Sequence, residues 1–209
     1  TIASGYNSTA IGTCSIAIGK NASASGAKAF AVGAKSSASN DETIAIGDSA
    51  DASGKQAIAI GSSSISNKES SLALGYLAKA TGKQSLAVGV RSEATHIHAI
   101  ALGCSAKATA NEAIAIGKDA LATGQSVSIG AGANSSGKDD IAIGREATAT
   151  SEQNSIAIGA KASVSGDGKA VAIGEKSTAS GQYAYALGYS AESTNVSSIA
   201  IGTQAKADR

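Results

Sequence analysis

The feature that most constrains this chain is a glycine that returns every 14 residues behind a short apolar triplet. Ile16-Ala17-Ile18-Gly19 recurs as Phe30-Ala31-Val32-Gly33, Ile44-Ala45-Ile46-Gly47 and Ile58-Ala59-Ile60-Gly61, and the series runs on to Ile199-Ala200-Ile201-Gly202. Taking that glycine as position 0 gives fifteen copies, from Gly5 to Gly202; eleven of the fourteen intervals are 14 residues and the others are 13, 15 and 15. Self-similarity at a fixed short period is the mark of a solenoid or array, in which one small unit is stacked on the next.

Within the unit each position has its own chemistry. Positions −3 and −1 hold 28 of the 36 Ile, Leu, Val and Phe residues, the exceptions being Tyr185 and Ser4. Position −2 is Ala in every copy but one, where it is Ser128. Position +3 is always Ala or Ser, and position +5 nearly so, with Val164 as the misfit. Positions +4 and +6 are mostly polar, as in Lys79 and Thr81, and position +7 is Gly in eight copies and Asn in two. Period-2 alternation over four or five residues between glycines predicts two short strands per unit; an amphipathic helix would need apolar residues three and four apart. Gly at 0 and +7 suits turns that need positive φ or close backbone approach, with Asn the next best residue. Lys68, His96, Ala110 and Ser151 fill +7 less comfortably, so their coils must use another turn or carry strain.

Each unit is therefore a flattened coil of strand, turn, strand and turn. Successive coils pair in parallel, and fifteen of them would make a rod of roughly 70 Å at about 4.8 Å per strand. The three changes of length all fall between position +7 and the next apolar strand: after Gly124, around Ser151–Asn154, and at Gly166-Asp167-Gly168. Residues 1–209 read as a single all-β domain of about fifteen coils.

The Ile-Ala-Ile strand is apolar on both faces, and such a strand is normally covered on both sides. Either the small residues fill the narrow interior and the large ones face out, or the reverse. In the first case Ile16, Ile18, Ile44, Ile46, Ile58, Ile60, Ile114, Ile116, Ile141, Ile143, Ile156 and Ile158 form a subunit interface. Left uncovered they would make an apolar strip beyond what soluble monomers expose, and packing against another copy is the economical cover. A monomeric solenoid with an apolar flank is the alternative.

Composition narrows the function. With 17 basic and 16 acidic residues the formal charge is +1, without the basic footprint of a nucleic-acid binder. No apolar run reaches membrane-spanning length, no signal peptide opens the chain, and the chain reads as a fragment of a longer one.

The motif Asn154-Ser155-Ile156-Ala157-Ile158-Gly159-Ala160-Lys161-Ala162 and its looser copies resemble the head repeats of trimeric autotransporter adhesins, the YadA-like heads. The resemblance spans essentially the whole chain. It implies a left-handed parallel β-roll assembled as a homotrimer and projected from the outer membrane of a Gram-negative bacterium. It also implies multivalent attachment to extracellular matrix, cells or other surfaces, with the ligand left open because one scaffold serves many. Neither stalk heptads nor barrel strands nor the neck that closes such heads is found in these residues. A passive spacer in a surface fibre is the second reading. An ice-binding solenoid is a remote third, since Thr148-Ala149-Thr150 is isolated among charged residues at +4.

No catalytic chemistry emerges. There is no nucleophile elbow, phosphate loop or paired carboxylate outside the repeat, so no enzyme activity, cofactor or metal is expected. His96 and His98 share a side of an extended segment, but no ligand at suitable spacing completes a site and a solvated turn is the plainer reading. Cys14 and Cys104 lie about 30 Å apart by strand spacing, too far to bridge, and read as small buried residues. Cys104 also allows an intermolecular bond. Asp139-Asp140 reads as a solvated turn and the start of a strand, and Gly166-Asp167-Gly168 as a weak echo of calcium-binding nonapeptides. The sequons at Asn7, Asn21, Asn134 and Asn195 read as chance. Tyr6, Tyr76 and Tyr189, all at position +1, are the exposed aromatics best placed to touch a ligand, or else they cover the glycine turn.

Overall fold

Opposite walls of each coil are built from strands of two lengths. The Ile-Ala-Ile segment gives a strand of three residues, as in Ile16–Ile18 and Ile44–Ile46, and the Ala-x-Ala segment one of two, as in Ser23–Ala24 and Asp51–Ala52. The computed structural model describes residues 1–152, 154–166 and 168–208, and among them there are thirty such strands and no helix. The chain forms two compact units, Thr1–Ser105 and Ala106–Arg209.

In the first unit the three-residue strands pair in parallel from Ile2–Ser4 to Ile100–Leu102, each with the equivalent strand one coil on. Ile16 pairs with Phe30, and Phe30 with Ile44. The two-residue strands stack the same way, Ser23 with Ser37 and Ser37 with Asp51. The second unit repeats the scheme from Lys107–Ala108 to Lys206–Ala207, and its changes in coil length leave the register intact. Ile114 pairs with Val127 across the short coil, and Ile141 with Ile156 across a long one. Extra or missing residues are confined to the second turn, as their positions in the sequence imply.

Small residues fill the interior. Ala17, Ala24, Ala31, Ala38, Ala45 and Ala52 are 0% exposed in the first unit, as are Ala142, Ala149, Ala157, Ala172 and Ala179 in the second. The largest fully buried side chains are Val164, Thr43 and Asp140, so the space between the two walls takes nothing bigger than Val, and Ile is kept outside by volume. Position −4, just ahead of each apolar strand, also faces inward, with Ser15, Thr43, Ala57, Ser71 and Ala99 buried. Alternation alone had marked only −2, +3 and +5.

Both turns close through a hydrogen bond over three residues: Ser36 N–H donates to Gly33 O, and Ala29 N–H to Gly26 O. Their demands on glycine differ. At Gly33 φ is +131° and an added Cβ would lie 2.4 Å from Gly47 O, so position 0 needs both the conformation and the room. At Gly26 φ lies outside the left-handed region, and only the approach matters, 1.9 Å from a Cβ to Asn40 O. Further left-handed residues stand two positions after position 0 and, in most coils, two after position +7; among the described residues twenty-seven with positive φ are not glycine, among them Lys35, Glu42, Leu77 and Lys161. Such a conformation costs on the order of 1 kcal/mol per residue. What holds it is the stack: Lys35 N–H donates to Lys20 O at 2.8 Å and Glu42 N–H to Ala27 O at 2.8 Å, each one coil back. Lys68, His96, Ala110 and Ser151, whose coils were expected to use another turn or carry strain, all have φ outside the left-handed region and so bear no strain of that kind.

Asp140 corrects another expectation. It is not solvated but 0% exposed at position −4. Gly137 N–H donates to Oδ2 at 2.9 Å, Ser155 N–H to Oδ1 at 2.8 Å, and Ser151 Oγ–H to Oδ1 at 3.3 Å. Ser151 and Ser155 bracket the extra residue of a 15-residue coil, so the carboxylate ties that longer turn to the coil before it. Burial pushes the Asp140 carboxyl above its ordinary value, opposed by these three donors and reinforced by the charge of Asp139.

Candidate functional site

Because the interior takes only small side chains, each large one lies on an outer surface. In the first unit Ile16, Ile44 and Ile58 occupy one column and Ile18, Ile46 and Ile60 the parallel one. The second unit has Ile114, Ile141 and Ile156 beside Ile116, Ile143 and Ile158. Stacking on the coils above and below leaves most of these half-buried, and Ile18 is 42% exposed. The remaining area faces out with no side chain of the same coil over it.

The first turn carries position +1. Tyr6 is 78% exposed, Tyr76 49% and Tyr189 43%, so all three aromatics singled out from the sequence are accessible. Their settings differ. Around Tyr76 the apolar surface passes from the Ile columns round the turn, with Leu74, Val90 and Leu102 each more than two-fifths exposed. In other coils position +1 bears a charge, as at Lys20, Asp48, Lys118, Arg145 and Glu175, or a small residue, as at Ala34 and Ser62. Tyr189 instead has Lys176 at the hydroxyl end of its ring, with Nζ 5.4 Å from the ring centroid and 3.4 Å from the phenol oxygen. Two further exposed tyrosines, Tyr183 and Tyr185, belong to the same coil, and Lys169 covers Tyr183 at 5.6 Å. Tyr185 was legible only as an exception at position −3, and Tyr183 falls at a turn position with no repeat signal of its own.

The second turn bears polar ladders spaced by one coil. Lys28 Nζ meets Glu42 Oε1 at 2.9 Å, and Gln56 Nε2 donates to Glu42 Oε2 at 2.9 Å. The Gln56 amide and the Lys28 ammonium hold Glu42 below its usual carboxylate range, and Lys83 does the same for Glu69 from 2.8 Å. These pairs are exposed, where ion pairs add little stability. His96 and His98 sit in this turn and diverge in their contacts: His96 Nδ1 is 2.9 Å from Thr95 Oγ1, and His98 Nε2 is 2.7 Å from Gln84 Oε1. No cluster of three or more potential metal ligands occurs among the described residues. Asp167 lies outside the described residues. Cys14 and Cys104 are both exposed, against the burial expected of them, because each falls on a turn and not on an inward position.

These features define a class: a parallel β-solenoid with an all-small interior, two outward apolar columns and variable polar turns. The YadA head domain repeat family matches residues 1–13, 15–36, 38–64, 66–92, 80–106, 94–120, 122–147, 151–177, 168–191 and 193–208. The chain belongs to that family and is a YadA-like adhesin head built of its repeats, the kind that trimeric autotransporters carry. Among solved structures it is similar to the crystal structure of the collagen-binding domain of the Yersinia adhesin YadA. The identity is 24%, over 93% of this chain and 69% of that one, with a TM-score of 0.26. Comparison with curated proteins finds no match.

Proposed function

We propose that this chain works as a homotrimeric, left-handed β-roll at the bacterial surface, projected from the outer membrane, and attaches the cell to an extracellular-matrix or cell-surface ligand. Its role is non-enzymatic and needs no cofactor, nucleic acid or direct membrane contact. The observation that carries the reading is the pair of outward Ile columns, which only another copy of the same repeat matches coil for coil. Sister copies cover those columns, and the turns and second strands stay free to meet a ligand through many equivalent weak contacts. Tyr76 is the favoured contact, since Leu74, Val90 and Leu102 extend the exposed apolar surface around it, and Tyr6 and Tyr189 are the further candidates.

Light scattering tests the assembly: three times 20.1 kDa is expected. Ile44→Lys with Ile46→Lys should yield monomers that keep their β-sheet circular dichroism. A chain that stays monomeric even when fused to a trimeric coiled coil would overturn the trimer. Collagen is the first ligand to try, because the Yersinia domain is described as binding it. Adhesion through Tyr76 requires that Tyr76→Ser weaken binding without changing the mass. A passive spacer would bind no matrix protein at all.

A further inference from the structure

A groove of about 490 Å³ opens on the second unit across the coils of Gly174, Gly188 and Gly202. It exists because Ser190 is short. Lys176 and Gln204 stand at the same turn position one coil before and one coil after it, and their long side chains form the ends. Thr178, Glu192 and Lys206, on the adjoining second strands, make the side wall over the buried Ala191. The volume lies within the usual range for small-ligand sites.

Six of the seven lining residues are polar, bringing two ammonium groups, an amide, two hydroxyls and one carboxylate, and their aliphatic stems add apolar surface between these groups. Lys206 Nζ holds Glu192 Oε2 at 2.9 Å, which consumes the carboxylate that faces the groove. Lys176 has a looser partner in Glu175 at 3.7 Å, outside the lining, and an exposed pair of that kind contributes little. Beside Lys176, at the rim and outside the lining, lies the Tyr189 ring, 43% exposed. A flat aromatic face next to a cation, continued by alternating donors and acceptors, matches a molecule with an apolar ring face, a hydroxyl-rich edge and one negative charge.

We propose that this groove binds an acidic oligosaccharide, a carboxylate-bearing sugar stacking on Tyr189 with its anion on Lys176 and its next ring over Ser190. The proposal rests on the reading of the turns as ligand-facing and adds a ligand class to it. It requires neither collagen binding nor Tyr76.

The test is titration of the whole chain with 3′-sialyllactose, followed by NMR, with lactose as the neutral control. Binding on the order of millimolar is expected, with shifts concentrated at Ser190, Glu192 and Gln204. Lys176→Gln should weaken it about tenfold through loss of a charge-assisted contact. Ser190→Leu should abolish it by filling the groove, and it is safe for the fold because Leu77 stands at the equivalent turn position with φ 56° against 51° for Ser190. No binding of sialyllactose, equal binding of lactose, or unchanged affinity in both variants would each overturn the proposal. The trimer mass and collagen adhesion, measured on the same variants, would be untouched by that failure, whereas loss of the trimer would leave the sugar titration readable.

Discussion

Ser66 Oγ lies 2.7 Å from Ser71 Oγ across the interior of a single coil. Position +5 is otherwise Ala or, once, Val, and each buried serine there meets another hydroxyl: Ser193 meets Ser198 and Ser135 meets Ser128, both at 2.6 Å. At position +5 the hydroxyls pair because a buried hydroxyl otherwise loses its water without replacement. Ser36 and Ser64 at +3 instead donate to Gly33 O and Gly61 O, and Ser15 Oγ is buried without a protein partner. Ser71→Ala is expected to cost about 1 kcal/mol. Ser66→Ala combined with it should cost less than the sum of the two single changes by about 0.5 kcal/mol or more. Denaturant titration of the four proteins in the cycle measures this, and strict additivity would show that the two hydroxyls act independently.

Asp140 should give stability an unusual pH dependence. Its folded pKa is raised, chiefly by burial, so ionisation opposes folding. The cost is full at neutral pH, is relieved as pH falls through the folded pKa, and is gone below the ordinary carboxylate value of about 4. Compared with Asp140→Ser, which restores a residue common at that position, the parent should gain in melting temperature between pH 7 and pH 4. A parent that loses ground over that interval would mean the three hydrogen bonds to the ionised form outweigh its burial.

Glycine is needed more at position 0 than at +7. Gly33→Ala adds a Cβ in both the wrong conformation and the path of Gly47 O. Gly26→Asn also brings a Cβ against a carbonyl, that of Asn40, but at an ordinary φ, and Asn40 shows that the coil can shift to hold an Asn at this position. The first substitution should lower the melting temperature by at least about 4 °C more than the second. Equal losses would mean that backbone approach alone sets the requirement.

Both thiols should react in the native protein. Cys14 and Cys104 are exposed and unbridged, so an aromatic disulfide reagent should titrate two thiols without denaturant. Protection of Cys104 alone, on the turn that follows the Tyr76 surface, would show that a sister copy reaches round the first turn.

The period and its glycines were enough to define the strands, their parallel register and the turn that absorbs length changes, because these depend on spacing alone. The columns of large residues were legible too, but only volume decides which side they face. Ala17 and Ala24 on opposite walls of one coil leave no space for Ile between them. Position −4 escaped notice because it mixes Ala, Ser, Thr and Asp, so no apolar alternation marks it as inward. Asp140 was misplaced for the same reason: a carboxylate beside another carboxylate reads as solvated until its donors are seen, Gly137 in its own turn and Ser151 and Ser155 in the following one. The cysteines were misread through residue type, since a tendency toward burial says nothing of a turn position.

The left-handed residues of both turns have a consequence for how such a surface can change. Leu77, Arg91, Glu146 and Tyr183 adopt nearly the same backbone because the neighbouring coil imposes it, whatever the side chain. Selection on those side chains is thereby uncoupled from selection on folding. The head can rewrite the chemistry displayed at its corners, one residue at a time, while the interior that keeps it in register goes unaltered.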